Sequence, residues 1–77
     1  MSRYNDIFTN NALSKMKKLG LSESQVLSAY KSGQIEDASI GGWNSIKKFP
    51  GYEIGVYYNR DRWGKYKIIS VWKRNRR

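Results

Sequence analysis

The sequence predicts an α+β fold: two N-terminal helices packed on one face of a three-stranded antiparallel β-meander. Three observations lead there. Ser22-Glu23-Ser24-Gln25 has the form of a capping box, the signature of a helix start. Apolar residues recur at helical spacing up to Gly33. Beyond Gly33 the chain turns to β-branched and aromatic runs, cut by Pro50-Gly51 and by the polar stretch 60–64. A chain of 77 residues makes one domain, 1–77, with a small core.

Residues 1–8 read as a lead-in, with Ile7 and Phe8 as its anchors and Tyr4 as core or edge filler. Thr9 or Asn10 is the expected N-cap of a first helix, about Asn11 to Leu19. Ala12, Met16 and Leu19, with Leu13 beside them, form its apolar face. Lys17 and Lys18 suit the C-terminal end of the dipole, and Gly20 supplies the left-handed residue that closes the helix. Ser22 then caps a second helix. Leu21 and Val26 can close a hydrophobic staple over it, and Val26, Leu27, Ala29 and Tyr30 make its buried stripe.

Residues 37–44 read as a loop through Gly41 and Gly42. Trp43 to Phe49 is the expected first strand, Tyr52 to Tyr58 the second and Lys65 to Lys73 the third. Arg74 to Arg77 are expected to fray. The simplest hairpin register pairs Tyr58 with Tyr66 and Val56 with Ile68. It places Tyr52, Ile54, Val56, Ile68 and Trp72 under the helices. Glu53, Tyr57, Lys67, Ile69, Val71 and Lys73 then face outward. A one-residue slip would instead bring Ile69 and Val71 inside.

Composition excludes several chemistries. The chain has no cysteine and no histidine, so disulfides, thiolate metal sites, thiol nucleophiles and a histidine base are all absent. Six scattered carboxylates make a poor metal site, and no metal or cofactor is expected. No apolar run reaches 18 residues, so no membrane span is expected, and the N-terminal residues lack the apolar stretch of a secretory signal. A cytoplasmic protein is the expectation.

The charge is uneven. Eight of the fifteen basic residues fall in the last eighteen positions, against the single acid Asp61. Trp63, Tyr66, Ile68, Ile69, Val71 and Trp72 are interleaved with them. Cations for phosphates beside planes for bases point to nucleic acid. The plain alternative is a solvated amphipathic strand whose charge keeps a small protein dissolved. The second helix carries only Lys31 as a cation, which is poor equipment for a DNA major groove.

The segment Asn11-Ala12-Leu13-Ser14-Lys15-Met16-Lys17-Lys18-Leu19-Gly20-Leu21-Ser22 resembles the opening of small bacterial proteins related to the BrnT and RelE toxins. Their common phrase is His-Ala-x-x-Arg-Met-x-x-Arg-Gly-Ile-Ser. Ala12, Met16, Gly20 and Ser22 match it, while Asn11, Lys15 and Leu19 replace the histidine and the two arginines. Residues 52–58 and 66–72 resemble the last two strands of that family. The resemblance covers about residues 7–73 and implies a RelE-like fold, ribonuclease activity against mRNA or tRNA, and an antitoxin partner.

RNA cleavage by 2′-OH attack needs a base, a clamp for the pentavalent phosphate and help for the leaving oxygen. Without histidine the candidates are Glu53 or Lys67 as base and Arg74 as clamp. Arg60, Arg62, Lys65 and Lys73 are candidate phosphate contacts, and Tyr57 and Trp63 candidate stacking planes. Each has an ordinary structural reading as well: pairing with a cross-strand lysine for Glu53, solvated turn residues for Arg60 and Arg62, a satellite of the core for Tyr57. Trp43 reads as packing rather than contact. Three functions compete: an RNA-directed toxin and endoribonuclease, a non-catalytic nucleic-acid-binding module, and a phage or mobile-element protein that binds an acidic host protein.

Overall fold

Helix α1 spans Asn10–Leu19 and α2 spans Glu23–Ser32 in the computed structural model, which describes residues 7–75. Thr9 caps α1, its side chain accepting from the Ala12 N–H, and Gly20 closes the helix at φ 70°. Ser22 and Gln25 complete the capping box on α2: Ser22 Oγ accepts from Gln25 N at 3.1 Å, and Gln25 Oε1 accepts from Ser22 N at 2.9 Å. Ser22→Ala removes one of these bonds and is expected to lower stability by about 1 kcal/mol in a urea titration.

Four strands follow: β1 (Gln34–Asp37), β2 (Trp43–Phe49), β3 (Tyr52–Arg60) and β4 (Tyr66–Asn75). They pair antiparallel in the order β1-β2-β3-β4. The meander therefore has four strands and not three. The extra strand, β1, is four exposed residues held to β2, with Ile35 opposite Ser45. The end of β4 also departs from expectation. Arg74 and Asn75 are paired with Glu53 and Tyr52 rather than frayed. Expectations for residues 1–6, Tyr4 among them, and for Arg76 and Arg77 lie outside the described residues.

Both helices lie on one face of the sheet, α1 over β4 and α2 over β2 and β3. Val26, Ile54, Val56, Ile68 and Val71 are fully buried between the layers, with Phe8, Met16 and Leu27 closing the sides. Burying each such side chain contributes about 1.5–3 kcal/mol. Ser45 is the one buried polar residue among those described, and its hydroxyl donates to Ala29 O at 2.6 Å. The lead-in is anchored as expected. Phe8 is buried and bridges to Ile68, Thr9 N donates to Ile68 O at 3.0 Å, and Ile68 N donates to Ile7 O at 2.7 Å.

The β3–β4 register corrects the simple one. Tyr58 pairs with Ile68 and Arg60 with Tyr66, not Tyr58 with Tyr66. A bulge then intervenes, because Tyr57 pairs with Ser70 and leaves Ile69 as the extra residue. Its cause is in the sequence: Ile68 and Val71 are three apart, and only an inserted residue lets both face the core. Val71 is therefore buried while Trp72 turns to the open face. Lys73, opposite Ile54, lies on the helix-covered side. Each is the reverse of the simple expectation.

Candidate nucleic-acid interface

The basic and aromatic residues of the C-terminal hairpin separate into three places. The first is its tip. Asp61 Oδ1 accepts from both Trp63 N and Lys65 N at 2.9 Å, Asp61 N donates to Lys65 O at 2.8 Å, and Gly64 N donates to Asp61 O at 3.0 Å. The Lys65 N–H bond, and then the Trp63 N–H bond and the charges of Lys67 and Lys65, hold the Asp61 carboxyl below its ordinary 3.8. Since the native value is the lower one, the ordering is complete above 3.8 and is lost as pH falls through that lower value. The locked turn presents Trp63 76% exposed, with the Arg62 guanidinium 5.3 Å from its ring centre. Lys65 and Lys67 line a hollow with Asp61 and Trp63.

The second place lies on the helix-covered side, beside the hairpin. Trp43 stacks on Tyr58, Tyr58 meets Tyr30 edge-on, and Tyr66 closes the group. Trp43 thus packs, as its position predicts. Burial, reinforced by neighbouring phenols, pushes the Tyr30 and Tyr58 hydroxyls above 10.0. Arg60 lies over the Trp43 and Tyr66 rings, at 5.9 and 6.0 Å. Further along this side Lys73 sits 4.9 Å from the Tyr52 ring centre. Both cations are on the face opposite Glu53, and both are held by rings.

The third place is the open face of the sheet. Glu53 and Arg74 stand opposite each other, Arg74 Nη1 3.6 Å from Glu53 Oε1, with the Glu53 side chain 13% exposed and that of Arg74 72%. Lys48 is in register with Glu53 from the other side. Lys67 is not part of this group. It pairs with Asn59, six residues along β3 from Glu53, or about 20 Å. Glu53 and Arg74 therefore meet, and the third proposed catalytic residue does not join them. Tyr57 is also on this face, where its hydroxyl donates to Gly41 O at 2.8 Å and ties down the loop before β2.

A depression of about 660 Å³ occupies the open face. Trp72, Ile46, Asn44, Gln34, Glu36 and Lys48 line it along with Glu53 and Arg74, and none of those six was singled out as a site residue from the sequence, which placed Trp72 under the helices. One signal was present: a glycine inside a strand marks close approach of another group. That glycine is Gly55, opposite Trp72. No three of the described carboxylates come together as a metal site, and no described helix is long and apolar enough to cross a membrane. No known protein family, curated protein or solved structure matches this chain.

Proposed function

We propose that this protein binds single-stranded RNA and grips it with the tip of the β3–β4 hairpin. The carrying observation is the Asp61-locked turn, which holds Trp63 in water beneath Arg62 and beside Lys65 and Lys67. A ring held out this way does nothing for the core. With cations around it, it offers a stacking plane and phosphate contacts together, the two demands of an unpaired strand. A duplex keeps its bases stacked and leaves such a ring without a partner.

The test is fluorescence anisotropy with a labelled oligouridine across a salt series. Three phosphate contacts give a slope of about −2 in log K against log salt, at about −0.7 per contact. Arg62→Ala and Lys65→Ala are each expected to flatten it by about 0.7. Trp63→Ala is expected to weaken binding by about 1–3 kcal/mol at every salt concentration. A flat salt dependence would overturn the reading. Retention of an acidic protein after nuclease treatment of a lysate would make the tip a protein contact instead.

A second reading, that of an RNA-cleaving toxin, draws support from the open face. Glu53 is a shielded carboxylate between Arg74 and Lys48, which is a base with a cation on either side. In that reading Glu53 takes the 2′ proton, the 2′ oxygen bonds to phosphorus as the P–O5′ bond breaks, Arg74 and Lys48 stabilise the pentavalent phosphate, and the departing 5′ oxygen takes a proton from water. Discrete cuts in RNA should then fall about 10²–10⁴-fold in Glu53→Gln. They should vanish when the attacking 2′-hydroxyl is replaced by hydrogen.

A further inference from the structure

We propose that the open face of the sheet is a guanine pocket, with Trp72 as its floor. A Cβ built on Gly55 would fall on Trp72, nearest Cε2 and Cζ2 and next nearest Cδ2. A point beyond the ring's edge would lie much farther from Cδ2, so these three atoms together place Gly55 beneath the ring's flat face. The indole therefore lies parallel to the sheet on a backbone bared of side chain. Its other face is turned into the depression, where it is half-buried and uncovered by either helix.

The register determines what surrounds this plane. Trp72, Gly55, Ile46 and Gln34 stand side by side across the four strands. One row away, on one side, are Arg74, Glu53 and Lys48; on the other are Tyr57, Asn44 and Glu36. Rows on one face are two residues apart, about 7 Å. A flat ring stacked on Trp72 thus meets Arg74 and Lys48, with the Glu53 carboxylate between them, along one edge, and the Glu36 carboxylate with the Asn44 amide and the Tyr57 phenol along the other.

That asymmetry fits a nucleotide, and the carboxylate selects its base. Glu36 is exposed, and its side chain makes no hydrogen bond or ion pair among the described residues. Guanine alone among the RNA bases presents two adjacent donors on its pairing edge, N1–H and N2–H, and the two oxygens of a carboxylate accept both. Asn44 lies beside Glu36 and can meet the neighbouring guanine O6 with its amide N–H. Arg74 and Lys48 flank Glu53 on the opposite rim, and the exposed Arg74 guanidinium and the Lys48 ammonium are the groups that reach the phosphate. The volume of about 660 Å³ suits one nucleotide. The proposal rests on the RNA-binding reading only for the source of the guanosine; the pocket stands on the sheet face alone.

The experiment is calorimetric titration of the full chain at low salt with GMP, AMP, CMP and UMP. Oligouridine is then titrated with and without one internal guanosine. GMP is expected to bind at least about tenfold tighter than the other three. Trp72→Leu is expected to weaken GMP binding about tenfold or more. Should that variant fail to fold, Glu36→Gln, a substitution at an exposed side chain, is expected to bring GMP within about twofold of AMP. Equal binding of all four nucleotides, or a preference that survives Glu36→Gln, overturns the pocket, even if oligouridine binds with its full salt slope. A GMP preference without oligouridine binding supports the pocket and removes the hairpin reading. Tighter binding of the guanosine-containing oligomer identifies RNA as the source. Equal binding of the two oligomers, beside a GMP preference, identifies the free nucleotide.

Discussion

Ile68→Ala is expected to remove a large share of the stability of this protein. Ile68 is fully buried, and deleting its outer carbons costs about 2–5 kcal/mol, including the cavity left behind. A chain of 77 residues has only about 4–12 kcal/mol in all. The position is also a junction. Its carbonyl accepts the Thr9 N–H at 3.0 Å and the Thr9 hydroxyl at 2.8 Å, and its N–H donates to Ile7 O. Loss of the side chain therefore loosens the lead-in and the cap of α1 together. The urea midpoint should fall by about two-fifths. Ile69→Ala, one residue on and only half-buried, should cost less than half as much. Equal losses at the two positions would refute the assigned register.

Deletion of Ile69 is expected to be milder. The bulge exists because Ile68 and Val71 both face the helices, though strand alternation would separate them. Without the extra residue, Ile68, Ser70 and Val71 follow in regular alternation. Ser70 stays opposite Tyr57, Val71 opposite Val56, Trp72 opposite Gly55 and Arg74 opposite Glu53. What is lost is the Ile69 carbonyl that accepts from the Thr9 hydroxyl and the Asn11 amide, about 0.5–1.5 kcal/mol per bond. Amide spectra should keep native dispersion, with Trp72 still on the open face. A collapsed or heterogeneous fold would refute the assigned bulge.

Much of the fold was legible because local chemistry marks it. The Ser22–Gln25 box, the Gly20 terminus and the Pro50-Gly51 turn each satisfy backbone groups by themselves, so sequence alone places them. β1 was not legible. Its four residues are exposed, with Ile35 its only apolar side chain, and it exists because β2 offers a free edge. The register was hidden for a different reason. Ile68, Ile69, Val71 and Trp72 occupy both parities of a strand, and only packing decides which of them leave the pattern. Hence a cross-strand cation for Glu53 could be anticipated but not that it is Arg74, which was expected to fray, and the faces of Trp72 and Lys73 were reversed. Trp63 was legible as exposed, since a turn has nothing to cover a ring of that size.

The bridge from Phe8 to Ile68 ties nearly the first described residue to the last strand. A ribosome makes these two positions in order, at about 5–20 residues per second. Helix α1 packs against β4 and its Thr9 cap bonds to Ile68, so neither has a docking surface until β4 has left the ribosome. For the several seconds of synthesis, the nascent protein carries Ala12 and Met16 uncovered. Its structure closes in one late step, after the basic hairpin has been made.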